Sequence, residues 1–150
     1  MTSRHHDWLC FSGVFLFLLG LLTGFANPIF LNPRLGLSGH LEGVMNGMFL
    51  VLVGLIWQRV SLSSGARTWA FWLLLWGSYA NWFACILGAV TGASRMTPIA
   101  GAGHSAEPWQ EMIVSGLFGS VGVAMLAALA LLAWGLRPGK LSPKPARRSP

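Results

Sequence analysis

Four long apolar runs separated by short polar stretches set the reading of this chain. They span residues 8–26, 40–58, 69–91 and 112–136. Each meets the roughly 20 apolar residues that a helix needs to cross a hydrocarbon core of about 30 Å. The first run follows a short charged start and ends on small Gly24 and Ala26, as a cleaved signal does. It is longer than the roughly 7–15 residues of a signal core and is read as helix one. The pattern predicts an all-α integral membrane protein: one domain over residues 1–136, folded as a bundle of four transmembrane helices.

The stretches between the runs are turns and loops. Asn27-Pro28 and Asn32-Pro33 punctuate residues 27–39. The residue before a proline avoids helix, so this segment is expected to be an apolar loop at the interface or folded back over the bundle. A loop with Arg59, Ser61, Ser63, Ser64, Gly65 and Arg67 precedes the third run. Gly92, Pro98, Gly101, Gly103, His104, Glu107 and Pro108 mark a longer one before the fourth. Residues 137–150 are basic and proline-rich, a tail expected to be disordered.

Composition sharpens the class. The chain is 54% hydrophobic and 9% charged, against about 25% charged in soluble domains. Its net charge of +6 sits at the ends of the runs instead of forming a stripe, which argues against nucleic acid as a partner. Arg4, Arg59, Arg67, Arg137, Lys140, Lys144, Arg147 and Arg148 fall on one side of a four-span topology, and only Arg34 and Arg95 on the other. The positive-inside rule then puts both termini in the cytoplasm, of a bacterial inner membrane. Trp8, Trp57, Trp69 and Trp109 stand at span ends, where indoles suit the headgroups. Small residues four apart in the last run (Ser115, Gly119; Gly116, Ser120, Ala124) allow close helix approach, and a homo-oligomer is expected. Cys10 and Cys85 lie inside spans without a C-x-x-C motif and read as small buried hydrophobes. The terminal His5-His6 pair lacks the further ligands of a metal site.

Polar groups inside spans are functional candidates. At 100° per residue, His40, Gly43, Gly47 and Gly54 share one stripe of helix two within roughly 60°. A histidine over a glycine groove has room for a flat group, as an axial haem ligand requires. The same pattern also suits an interfacial histidine bonded to a carbonyl, with the glycines as a packing groove. Glu42 and Asn46, four apart, share a different face and can serve one ligand. Ser78, Asn81 and Cys85 form a polar stripe on helix three. Tyr79, Trp82 and Phe83 around it either wall an aromatic pocket or face lipid. Glu107 and Glu111 are read as a solvated face beside the loop of His104.

The run at residues 40–48, His-Leu-Glu-Gly-Val-Met-Asn-Gly-Met, resembles the second-helix motif of the small four-helix membrane isomerases, the group of styrene oxide isomerase and the hydroxylaminobenzene mutases. His40, Asn46 and the following Gly-Met match the isomerase pattern, and Glu42-Gly43 is more similar to the mutase branch. Asn81 resembles an asparagine the isomerases carry in helix three. The resemblance implies haem b on His40, with ferric iron as Lewis acid. Cys85 stands where the isomerases have a tyrosine, which weighs against epoxide isomerisation. The implied activity is the mutase one, hydroxylaminobenzene to 2-aminophenol, a step in nitroarene breakdown. Glu42 would then move the proton and Asn46 hold the hydroxylamine, with Asn81 a further catalytic residue, while Trp82 and Phe83 pack the ring beside Cys85. Without haem, Glu42 is the acid. Aryl epoxide isomerisation is the alternative activity within the group. A small proton-coupled multidrug exporter is the rival transporter, although those proteins carry their carboxylate in helix one, which is uncharged here. A haem electron carrier would need a second axial ligand that His5, His6 and His104 do not supply inside the bilayer.

Overall fold

Asn32 and Pro33 begin the second helix of the protein. In the computed structural model, which describes residues 2–138, this helix runs Pro33–Ile56, seven residues ahead of the expected start. The Asn32 side-chain oxygen accepts from the backbone N–H groups of Arg34 (3.0 Å) and Leu35 (3.2 Å). Pro33 occupies the first turn, where its missing N–H leaves no bond unmade. The proline therefore excludes helix from the residue before it and starts the helix itself. Much of the loop expected over 27–39 is helical, and His40 sits two turns inside α2.

The other helices also start earlier than their apolar runs. α1 spans Thr2–Ala26 and ends in a single 3-10 turn, Asn27–Ile29. α3, Ser64–Thr91, is capped by the Ser63 hydroxyl and stops at Gly92, whose φ of 83° is open to glycine at little strain. A short helix α4, Pro98–Gly101, interrupts the long loop. α5, Pro108–Leu136, opens with a capping box between Glu107 and Gln110. Residues 139–150 of the basic tail lie outside the described residues. Four of these helices are long and apolar enough to cross a membrane, and they expose large apolar side chains such as Phe25, Leu126 and Val123.

The four long helices run up and down. α1 lies against α2, α2 against α3, and α5 chiefly against α3. α1 and α2 meet backbone to backbone. A Cβ on Gly20 would stand 2.6 Å from Val44 N, and one on Gly47 2.6 Å from Phe17 N. Only glycine permits that approach. A core of Leu9, Leu16, Leu50, Trp57, Phe71 and Leu74 fills the end where α1 and α3 begin.

At the other end, Glu111 corrects the expectation of a solvated face. Its side chain is buried, and its carboxylate accepts from the backbone N–H groups of Ser94 (3.1 Å), Arg95 (3.0 Å) and Ala106 (3.3 Å). Three charge-assisted bonds replace the water that the carboxylate gives up. Asn32 adds a second tie, donating to the carbonyls of Ala100 (3.2 Å) and Gly101 (3.1 Å). Glu107 remains exposed, as expected.

Candidate active site

Two polar clusters lie within the helical layer, on opposite faces of α2. The first joins α2 to α3. Glu42 Oε2 accepts from Asn46 Nδ2 at 3.0 Å and from Asn81 Nδ2 at 2.6 Å. The bond within α2 follows from the four-residue spacing, which puts both groups on one face. Asn81 comes from a separate helix, so the trio exists only once α2 and α3 pack. All three residues are half-buried. Glu42 Oε1 and the two asparagine Oδ1 atoms have no hydrogen-bond partner among the described residues. The trio thus presents a held carboxylate with acceptor atoms on either side, suited to the N–H and O–H of a small polar ligand.

The second cluster joins α2 to α1. His40 Nδ1 lies 2.8 Å from the carbonyl oxygen of Gly20. A carbonyl only accepts, so Nδ1 donates to it, and Nε2 has no hydrogen-bond partner among the described residues. The ring fits because Gly24 has no side chain; a Cβ there would stand 2.8 Å from Nδ1. A cavity of about 390 Å³ opens at His40, lined by Leu21, Gly24, Phe25, Asn27 and Leu37.

The donor at this second cluster fits a haem iron. An imidazole whose Nδ1 is bonded to a carbonyl, in the lining of a largely apolar cavity, is how proteins orient an axial histidine. The glycine cradle does not fit. Gly43 and Gly47 are covered by α1: a Cβ on Gly43 would stand 2.5 Å from Gly20 Cα, and one on Gly47 2.7 Å from Gly13 O. The stripe below His40 is the packing groove for α1, so these two glycines offer no face to a planar group. Among the described residues no three His, Cys, Asp or Glu side chains converge as a metal site.

The expected aromatic pocket is divided. Trp82 lies between the clusters: its Nε1 donates to Thr23 Oγ1 at 3.1 Å, and its Cδ1 would stand 3.0 Å from a Cβ on Gly43. Cys85 is buried beside Gly39. Phe83 points outward and is 48% exposed, away from the pocket it was expected to wall. One step along a helix turns a side chain by 100°, so adjacent Trp82 and Phe83 do not share a face. Tyr79 reaches α1 instead, its hydroxyl donating to Ser12 O at 2.8 Å. The sequence reading missed Gly20, Thr23 and Gly24, which all belong to α1. Their signal was small residues three and four apart in an otherwise bulky apolar run.

Among characterised proteins, the chain is similar to hydroxylaminobenzene mutase HabB of Ectopseudomonas oleovorans, 50% identical over 138 residues, which cover 91% of this chain and 81% of that protein. It is also similar to hydroxylaminobenzene mutase HabA of the same organism, 42% identical over 130 residues, covering 86% of this chain and 96% of that one. No solved structure matches the chain. A family model described as styrene oxide isomerase matches residues 5–137, which takes in both polar clusters and all four long helices, and the chain belongs to that family.

Proposed function

We propose that this protein is a membrane-embedded isomerase, a hydroxylaminobenzene mutase that moves a hydroxyl group within its substrate to give 2-aminophenol, in the breakdown of nitroaromatic compounds. The observation that carries the reading is the Glu42–Asn46–Asn81 trio, a hydrogen-bonded carboxylate in an otherwise apolar helix pair. Similarity to two hydroxylaminobenzene mutases over most of the chain supports the substrate.

The reaction is an isomerisation and needs no electron donor. Glu42 gives a proton to the hydroxylamine oxygen, and the N–O bond breaks with its electron pair on that oxygen. Positive charge spreads from nitrogen to the ortho carbon. The same oxygen bonds there, and the ring loses its ortho proton to restore aromaticity. Of the two protons then released from carbon and oxygen, one goes to nitrogen and the other returns to Glu42. Asn46 and Asn81 hold the carboxylate and offer their carbonyl oxygens to the hydroxylamine N–H. Trp82 packs the ring and keeps out water that would capture the cation at other carbons. Haem b, were it bound, would be held by His40, on the face of α2 opposite Glu42, and would supply a Lewis acid there.

The test is product analysis on membranes from cells expressing the chain, incubated anaerobically with hydroxylaminobenzene. 2-Aminophenol is expected from the parent and is lost from Glu42→Gln and His40→Ala membranes. No product from well-folded protein removes the assignment, and turnover of an aryl epoxide in the same membranes would replace it.

Both termini are read as cytoplasmic. Arg4, Arg59, Arg67 and Arg137 stand at the helix ends that share one side, against Arg34 and Arg95 on the other. A reporter that is active only in the cytoplasm, fused to the C-terminus, is expected to be active. The open glycines of α5 support a homo-oligomer: Gly116, Gly119 and Gly122 each have nothing within 4 Å of the place a Cβ would take.

A further inference from the structure

A second cavity belongs to neither cluster. It is a groove of about 890 Å³ between α1 and α3, at the end where both helices begin. Arg4 is about 30 Å along α1 from Gly24, so the groove and the His40 cavity lie at opposite ends of the molecule. The groove exists because the glycine seam draws α1 onto α2 and leaves it in sparse contact with α3.

Its two ends differ chemically. Arg4 and Arg67 stand at the mouth, beside the hydroxyls of Ser64 and Thr68. The Arg67 guanidinium donates to the Val60 carbonyl, which fixes it in place. Arg4 is exposed and has no partner among the described residues. Below the mouth the walls are Trp8, Phe71, Trp72 and Leu75. From Arg4 to Ser12, and from Arg67 to Leu75, each helix descends about 12 Å. Among the described residues no carboxylate lines the groove; Asp7, the nearest acid in sequence, is 73% exposed and lies 3.8 Å from His6. His5, also in the lining, has a shielded Nδ1 with no partner among the described residues. Such an atom normally has one.

A cationic mouth over an apolar slot at the membrane boundary matches one molecule that is anionic at its head and apolar below. A free anion has no use for the slot, and a soluble protein cannot reach its hydrocarbon-level walls. We propose that this groove binds an anionic phospholipid, its phosphate between Arg4 and Arg67 and one acyl chain along Trp8, Trp72 and Leu75.

The test uses the whole protein in nanodiscs of phosphatidylcholine, doped at equal low fraction with phosphatidylglycerol or phosphatidylcholine whose acyl chains are brominated. Bromine quenches indole fluorescence at contact. Brominated phosphatidylglycerol is expected to quench more, and the excess is expected to vanish in the Trp8→Phe/Trp72→Phe variant. Arg4→Gln is expected to weaken the preference about fivefold, one surface arginine's share of anionic-lipid binding. Arg4 is exposed, so this variant keeps the parent fold, checked by circular dichroism, whereas Arg67→Gln also loses the Val60 contact. Equal quenching by the two lipids overturns the proposal, as does an excess undiminished in Arg4→Gln or one that survives in the double tryptophan variant. Displacement by millimolar inorganic phosphate also overturns it, since the site would then take a free anion. None of these readouts depends on catalysis.

Discussion

Glu42 is the one carboxylate of α2, and its two amide partners set what each substitution does. In Glu42→Gln an oxygen still accepts from Asn46 and Asn81, so the helix pair holds while the proton donor is lost. The expected fall in kcat is about 10²–10⁴-fold, typical of removing a general acid, with thermal stability close to the parent. Asn81→Ala leaves the acid but lets the carboxylate swing. The expected loss is about 10²-fold, the effect of misplacing a reacting group by about 1 Å. A larger loss from Asn81→Ala than from Glu42→Gln would move the chemistry off the carboxylate. On the other face, Gly24→Ala places a methyl 2.8 Å from the His40 imidazole and forces the ring away from Gly20 O. Activity is expected to fall with it if His40 serves the reaction.

At the scale of the element, the glycines divide into two groups. Gly20 and Gly43 face each other across the seam between α1 and α2, where an added Cβ meets backbone at 2.5–2.7 Å. Backbone cannot rotate out of the way as a side chain can, so Gly43→Ala pushes the helices apart. A loss of about 1–3 kcal/mol is expected, as for overpacking elsewhere, read as a lower unfolding temperature in detergent. Gly116 on α5 has nothing within 4 Å of its Cβ position. In a monomer, Gly116→Ala is neutral or gains up to about 1 kcal/mol from helix propensity. A clear loss at Gly116 would show that another copy packs there. Asn32 acts on three elements, capping α2 and bonding the backbone of α3 and of α4.

For the whole molecule, Glu111 ties the long loop to the start of α5, and Asn32 ties it to the start of α2. Glu111→Ala leaves three backbone N–H groups without their acceptor. An unmade buried bond costs about 1–3 kcal/mol. The expected outcome is earlier unfolding and faster hydrogen exchange at Ser94, Arg95 and Ala106, with the helices intact. Exchange that spread into α1 would contradict a local role. The ties also bear on the site, because α2 positions both His40 and Glu42.

The chain alone determined the four spans, since span length and apolarity are local properties that need no neighbour to be read. It also determined the pairing of Glu42 with Asn46, because helical periodicity places residues four apart together. The earlier start of α2 was legible too: Asn32 before Pro33 is a helix start as well as a bar to helix before the proline. Other features depended on which helix lies alongside. Gly43 and Gly47 read as a cradle or as a seam until Gly13 and Gly20 filled the groove. Glu111 read as solvated until the loop seventeen residues earlier folded onto it. Asn81 joined Glu42, and Trp82 parted from Phe83, only when α3 took its rotation against α2. A side chain's direction on its own helix is fixed by periodicity, but what it meets is fixed by packing between helices, and that is where this site is made.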